Sequence, residues 1–137
     1  AYNITKEIIS QYRRVDAVVA LNEVASEGAA QAINEMGLVG KVKVIAFDNT
    51  FQGIDYLESG IIQALVIQNP FSIGYIGVKF AVDALQGKPI PREYSIEPKV
   101  IDKDDMYLTE NQKLIFAYCA APLFYPQCIN IQNSSHF

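Results

Sequence analysis

Val42-Lys43-Val44-Ile45-Ala46-Phe47-Asp48-Asn49-Thr50 is a strand-length apolar run, broken only by Lys43, that leads straight into an acid, an amide and a hydroxyl. Near-continuous apolar strands belong to parallel sheets flanked by helices, whereas a sheet with one wet face alternates. The flanks agree. Upstream, Ala25, Ala29, Ala32, Ile33 and Met36 recur at helical spacing, and Gly37 closes that helix in the left-handed conformation. Downstream, Asn49 or Thr50 can cap a short helix through Glu58, stopped by Gly60.

Further out the unit repeats. Val15–Leu21 reads as another short apolar strand, preceded by a helix over Ile4–Arg14 with Ile4, Ile8, Ile9 and Tyr12 on one face. Ile62–Ile67 is the third strand. Asn69-Pro70 then opens the best-marked helix, with Asn as cap and Pro at the first helical position. Its stripe is Ile73, Ile76, Phe80, Ala84 and Leu85, and Gly87-Lys88-Pro89 ends it. Strand and helix in alternation predict an α/β fold, a parallel sheet with flanking helices. Past Pro91 the alternation weakens into an extended stretch over Tyr94–Val100, a turn over Asp102–Asp105, and a short helix from Thr109 through Ala117. An irregular tail follows from Cys119. The chain starts on a helix, and three strands make a thin sheet for 137 residues. It reads as a piece of a larger fold, or as a chain that completes its core by self-association.

Half the residues are hydrophobic and 19% are charged, which is globular composition. Eleven Lys+Arg against fifteen Asp+Glu give a net charge of −4, and the only adjacent basic pair is Arg13-Arg14. A protein that lives on phosphate contacts carries a basic stripe, so nucleic acid is excluded as a partner of this segment. No apolar run approaches the length of a bilayer. The start, Ala1 to Glu7, has neither an initiator Met nor an apolar signal region, and reads as a processed or excised end. Cys119 and Cys128 fit no common zinc spacing, and His136 is the only histidine. A local disulfide and two free thiols are equally compatible with them.

Enzymatic chemistry finds little support. Phe47-Asp48-Asn49-Thr50 sits where a phosphatase of the haloacid-dehalogenase type holds its nucleophilic Asp, but the required second acid is replaced by Thr50. A receiver-type phospho-accepting Asp needs an acidic cluster after the first strand, and that exit is Asn22-Glu23. His136 lies in the tail, which leaves a Ser or Cys nucleophile without a base. Gly37 and Gly40 follow a helix rather than a strand, so they fail the dinucleotide-binding context. Asp102, Asp104 and Asp105 suit a solvated turn better than a calcium loop. The expectation is a protein that performs no catalysis and needs no cofactor or metal.

Ligands of open parallel sheets bind at the carboxyl ends of the strands. Here the strands exit on Asn22, Asp48 and Gln68. Ionised Asp48 only accepts hydrogen bonds, while Asn22 and Gln68 each donate and accept. That set suits a polyhydroxylated neutral ligand, with Phe47 and Phe71 as an apolar wall. The same residues are equally read as helix caps, Asn22 before the helix from Val24 above all.

Taken together, Asp16–Glu23, Glu27–Ile33, Val44–Thr50, Gly60–Pro70 and Gly74–Gly87 resemble the ribose-type periplasmic sugar-binding proteins, whose fold is shared by the effector domains of LacI-type repressors. The resemblance runs from about Ile4 to about Ala117. It implies a two-lobed clamshell. Residues 1–69 would be part of the C-terminal lobe. Residues 70–118 would be a hinge-crossing helix and strand belonging to the other lobe and returning at the end, and 119–137 a tail foreign to the family. It implies ligand contacts from Asn22, Phe47, Asp48 and Gln68, a small sugar or polyol as ligand, and the membrane permease of an ABC transporter as partner. The location implied is periplasmic or extracellular, with a lipoprotein anchor as one form. The alternative is a LacI-type regulator or sugar-sensing receptor, cytoplasmic in the regulator's case. Two departures stand out: Glu23 replaces the family's usual Asp, and the whole N-terminal lobe is absent.

Overall fold

Side chains at the strand exits start the helices that follow. In a computed structural model that describes residues 1–116, Asn22 Oδ1 accepts the Ala25 N–H at the start of α2 (Glu23–Glu35), which follows β1 (Ala17–Val19). Thr50 Oγ1 accepts the Gly53 N–H to open α3 (Phe51–Glu58) after β2 (Lys43–Phe47). Asn69 Oδ1 accepts the Ser72 N–H to open α4 (Pro70–Leu85) after β3 (Ala64–Ile67). Each cap satisfies an N–H that the helix itself leaves unpaired. A first helix, α1 (Tyr2–Gln11), packs on α2. Gly28 permits their close approach, because a Cβ there would lie 2.9 Å from the Tyr2 backbone nitrogen.

The sheet order is β1-β2-β3-β4, with β1, β2 and β3 parallel. β4 (Lys99–Asp102) adds antiparallel to β3, so the sheet is mixed and has one strand more than the sequence pattern predicts. The reason is local: this short edge strand begins on Lys99 and ends on Asp102, which blurs its apolar pattern into the neighbouring turn. α5 (Thr109–Ile115) closes the described chain. Cys119, Cys128, His136 and the predicted tail lie outside the described residues.

Register places Val18, Val44, Ala46, Leu65, Ile67 and Ile101 on one face. That face joins Ala30 and Ile33 of α2, Ile54 and Leu57 of α3, Met106 and Ile115 in a single core. The opposite face is only partly covered. Ala64 and Val66 on β3 are buried there, but Val19 and Val100 are 57% and 59% exposed.

α4 departs from expectation. None of its sixteen residues is buried, and Leu85, at the end of the predicted stripe, is 89% exposed. Ile76 and Phe80 are half-buried, Phe80 packing edge-on against Tyr94 at 5.4 Å. The helix is apolar on the other side too, with Phe71, Tyr75, Val78 and Val82 exposed. An amphipathic stripe needs a surface to meet, and among the described residues the Tyr94–Ile96 segment covers only part of it.

The two faces make a test. Leu65→Ala removes a fully buried side chain from the covered face and is expected to cost about 2–5 kcal/mol. Val100→Ala, on the adjacent strand but the other face, is expected to cost less than about 1 kcal/mol. Urea unfolding of the two variants measures the difference, and equal losses would contradict one-sided burial.

Candidate ligand site at the strand exits

Because β1, β2 and β3 are parallel, Asn22, Asp48 and Gln68 all leave the same edge of the sheet. Asn22 is exposed; its cap uses Oδ1 and leaves the Nδ2 donor available. Capping and ligand contact are therefore compatible roles for one side chain.

Asp48 has φ +68°, the only positive φ on a non-glycine among the described residues. A left-handed conformation on an L-residue costs on the order of 1–2 kcal/mol, somewhat less for Asp. It persists because the surroundings over-determine it. The Asp48 N–H donates to Val66 C=O across the sheet at 3.1 Å. The buried Asn49 side chain donates to Leu114 C=O and Ile115 C=O at 2.8 and 2.9 Å, locking the turn to the end of α5. Thr50 Oγ1 donates to Glu27 at 2.7 Å. The Asp48 carboxylate itself takes no hydrogen bond from any described side chain. A strained residue followed by two anchored ones, its acceptor oxygens unused, is a candidate for ligand contact.

An open depression of ≈ 630 Å³ is lined by Ala1, Asn22, Glu23, Val24, Ala25 and Asp48. Two of the predicted residues, Asn22 and Asp48, thus share one opening. Glu23, the departure from the family pattern, lines it as well. Gln68 is exposed at the end of β3 but is not part of this lining. Phe47 is half-buried on the partly covered face. Phe71 is 82% exposed on α4, stacked on Tyr75 with ring centroids 6.5 Å apart. A second hollow, apolar and ≈ 340 Å³, lies between α4 and the Tyr94–Ile96 segment. No group of three or more His, Cys, Asp or Glu among the described residues could hold a metal ion. One buried side chain escaped the sequence reading: Ser26, whose Oγ accepts the Phe47 N–H. Its only sequence signal is a hydroxyl inside an otherwise alanine-rich helix.

Residues 1–89 match the family described as the periplasmic binding protein domain. The chain belongs to that family. Among its curated relatives is the D-allose-binding periplasmic protein of Escherichia coli, 33% identical over 103 residues, a match covering 74% of this chain and 33% of the relative. Another is the ribose import binding protein RbsB of Haemophilus influenzae, 30% identical, covering 74% of this chain and 34% of that protein. A solved carbohydrate transporter solute-binding protein from Agrobacterium radiobacter, in complex with D-arabinose, superposes with a TM-score of 0.77 at 32% identity. That match covers 83% of this chain and 39% of the other. The chain spans about a third of the length of the curated relatives it matches. As a periplasmic binding protein it presents the sheet edge on which Asn22 and Asp48 meet, and its relatives are binding proteins rather than enzymes.

The strain at Asp48 has a measurable sign. Asp48→Gly is expected to raise the unfolding free energy by up to about 1 kcal/mol, and Asp48→Ala to lower it by a similar amount. Chemical denaturation reads both, and a Gly variant less stable than the Ala variant would show that the left-handed turn carries no strain.

Proposed function

We propose that this chain is a C-terminal portion of the solute-binding component of a sugar ABC transporter. It holds a small polyhydroxylated ligand without performing chemistry on it. One observation carries the reading: an unpaired carboxylate acceptor and an amide donor share one depression at the strand exits, on a fold whose relatives are named for allose and ribose. In this reading Asp48 accepts from two ligand hydroxyls, Asn22 donates through Nδ2, Gln68 completes the network from β3, and Phe47 offers an apolar contact. Residues 1–69 belong to the C-terminal lobe, and residues 70–118 cross the hinge and return. The exposed α4 and the partly covered sheet face are the surfaces that the rest of a two-lobed protein covers. The partner is a membrane permease and the location periplasmic or extracellular. Relatives named as import-binding proteins favour a transport role over a regulator's effector domain.

Calorimetric titration with D-allose, D-ribose and D-arabinose tests this, on the chain and on a two-lobed protein that contains it. Asp48→Ala is expected to weaken binding by about 1.5–3 kcal/mol, roughly ten- to a hundredfold. Asp48→Asn, which keeps the shape and tolerates the left-handed turn, isolates the loss of charge. Unchanged affinity in the two-lobed protein would remove Asp48 from the site.

Left without its other lobe, the chain is expected to self-associate as concentration rises, because α4 exposes apolar groups on both sides. Sedimentation of the wild type against a Phe71→Ser, Leu85→Ser double variant measures this. A strict monomer throughout would count against α4 as a covered surface.

A further inference from the structure

At the exit end of the β1–β2 ladder, a rung is made by a side chain. β1 and β2 pair with Ala17 opposite Lys43 and Val19 opposite Ile45. Their ladder includes Lys43 N–H to Asp16 C=O and Ala20 N–H to Ile45 C=O, both 2.9 Å. The evenly spaced pattern of a parallel pair makes Phe47 N–H to Ala20 C=O the next rung. The Phe47 N–H instead donates to Ser26 Oγ at 2.9 Å. Ser26 stands in the first turn of α2 and is 3% exposed. Its oxygen lies 2.8 Å from Asn22 C=O, 3.3 Å from Phe47 C=O and 3.4 Å from Ala20 C=O. A hydroxyl has a single proton. The closest acceptor, Asn22 C=O, receives it.

A helical serine that donates to the carbonyl four residues back is ordinary. That habit asks nothing of a neighbouring strand. What it leaves unexplained is the oxygen's second bond, taken from β2 at the place where the ladder would otherwise close. Through one hydroxyl, the carbonyl of Asn22 and the amide of Phe47 are tied together, and the direct rung between β1 and β2 is replaced. The bridge lies at the edge where Asn22 and Asp48 leave the sheet.

We infer that Ser26 is a positioning residue: its hydroxyl, inserted as the last rung between β1 and β2, sets the separation of Asn22 and Asp48 across the depression. It touches no ligand and acts only through the two exits. What those exits are for rests on the sugar-binding reading above; the spacing device does not. Without the hydroxyl, the Phe47 N–H either closes directly onto Ala20 C=O or loses its partner. Both outcomes displace the exits.

The test compares Ser26→Ala with Ser26→Thr, which keeps the hydroxyl, using nitrogen-15 amide spectra and hydrogen exchange on the full chain without ligand. Ser26→Ala is expected to shift the amide signals of Asn22 and Asp48. An opened rung adds at least about tenfold faster exchange at Phe47, as for a buried N–H deprived of its acceptor. A closed rung keeps that protection but still moves both exits. Lys43 and Ile45 keep their protection in either case, and Ser26→Thr restores the wild-type pattern. Ala29→Gly, which weakens the same helix one turn on, is expected to leave Asn22 and Asp48 unmoved. Asn22 and Asp48 signals that stay in place in Ser26→Ala would overturn the inference. Should that variant not fold, Ser26→Cys, close in size but a poor acceptor, gives the same comparison. Titration with D-allose and D-ribose forms a separate arm. Weaker binding in Ser26→Ala, restored in Ser26→Thr, supports the inference. Absence of sugar binding by the wild type would strike the sugar reading alone, and the amide spectra would still decide the role of Ser26.

Discussion

β2 is the strand on which its neighbours depend. Val44 and Ala46, both fully buried, meet the helices on one side, while the backbone pairs with β1 on one edge and β3 on the other. Burial along β2 alternates, Val44 and Ala46 buried on the covered face and Ile45 and Phe47 half-buried on the other, as the pleat of a strand requires. Because β2 is central and parallel to both neighbours, three chain exits fall on one sheet edge. A change that let β2 slip by one residue would turn Val44 and Ala46 outward and scatter those exits.

That edge is where local rules are broken. The chain leaves β2 through a left-handed aspartate, although a glycine would take the same turn with less strain. Asn49 and Thr50 hold the turn through bonds to α5 and α2, so the strain is supported from two sides. Strain retained at an acidic side chain with unused acceptor capacity is what makes Asp48 a candidate for ligand contact. The caps show the same economy of residues. Asn22 closes a helix with one end of its amide and leaves the other end for the depression.

The body is asymmetric. One sheet face is sealed by α2, α3 and α5, the other only in part, and α4 projects apolar side chains to both sides without burying one. Isolated exposed apolar residues are common on protein surfaces, but a sixteen-residue helix apolar on opposite sides is not. The chain spans about a third of the length of the curated relatives it matches, and in the proposed reading these are the surfaces that a second lobe covers.

Much of this was legible in the residues themselves. Apolar runs marked β1, β2 and β3, because buried strands and their bounding turns have local chemistry. Asn22, Asn69 and the Asn49-Thr50 pair announced helix starts for the same reason, and the structure gives that cap to Thr50. Asn22 and Asp48 were visible as strand exits, but that they share an opening while Gln68 does not line it depends on how the chain packs. β4 was blurred by its charged ends, and its antiparallel pairing with β3 joins residues more than thirty positions apart. The periodicity of α4 marked its apolar stripe but not its exposure, because a stripe says that a face seeks burial and not whether a surface is there to receive it. Ser26 shows the limit most clearly. Its hydroxyl gains its meaning from the amide of Phe47, twenty-one residues away. Local sequence determined which segments become strands, helices and caps, since those depend on neighbours within a turn. Only the tertiary structure decided which exits face one another and how far apart they are held, since that separation is set by contacts between segments distant in the chain.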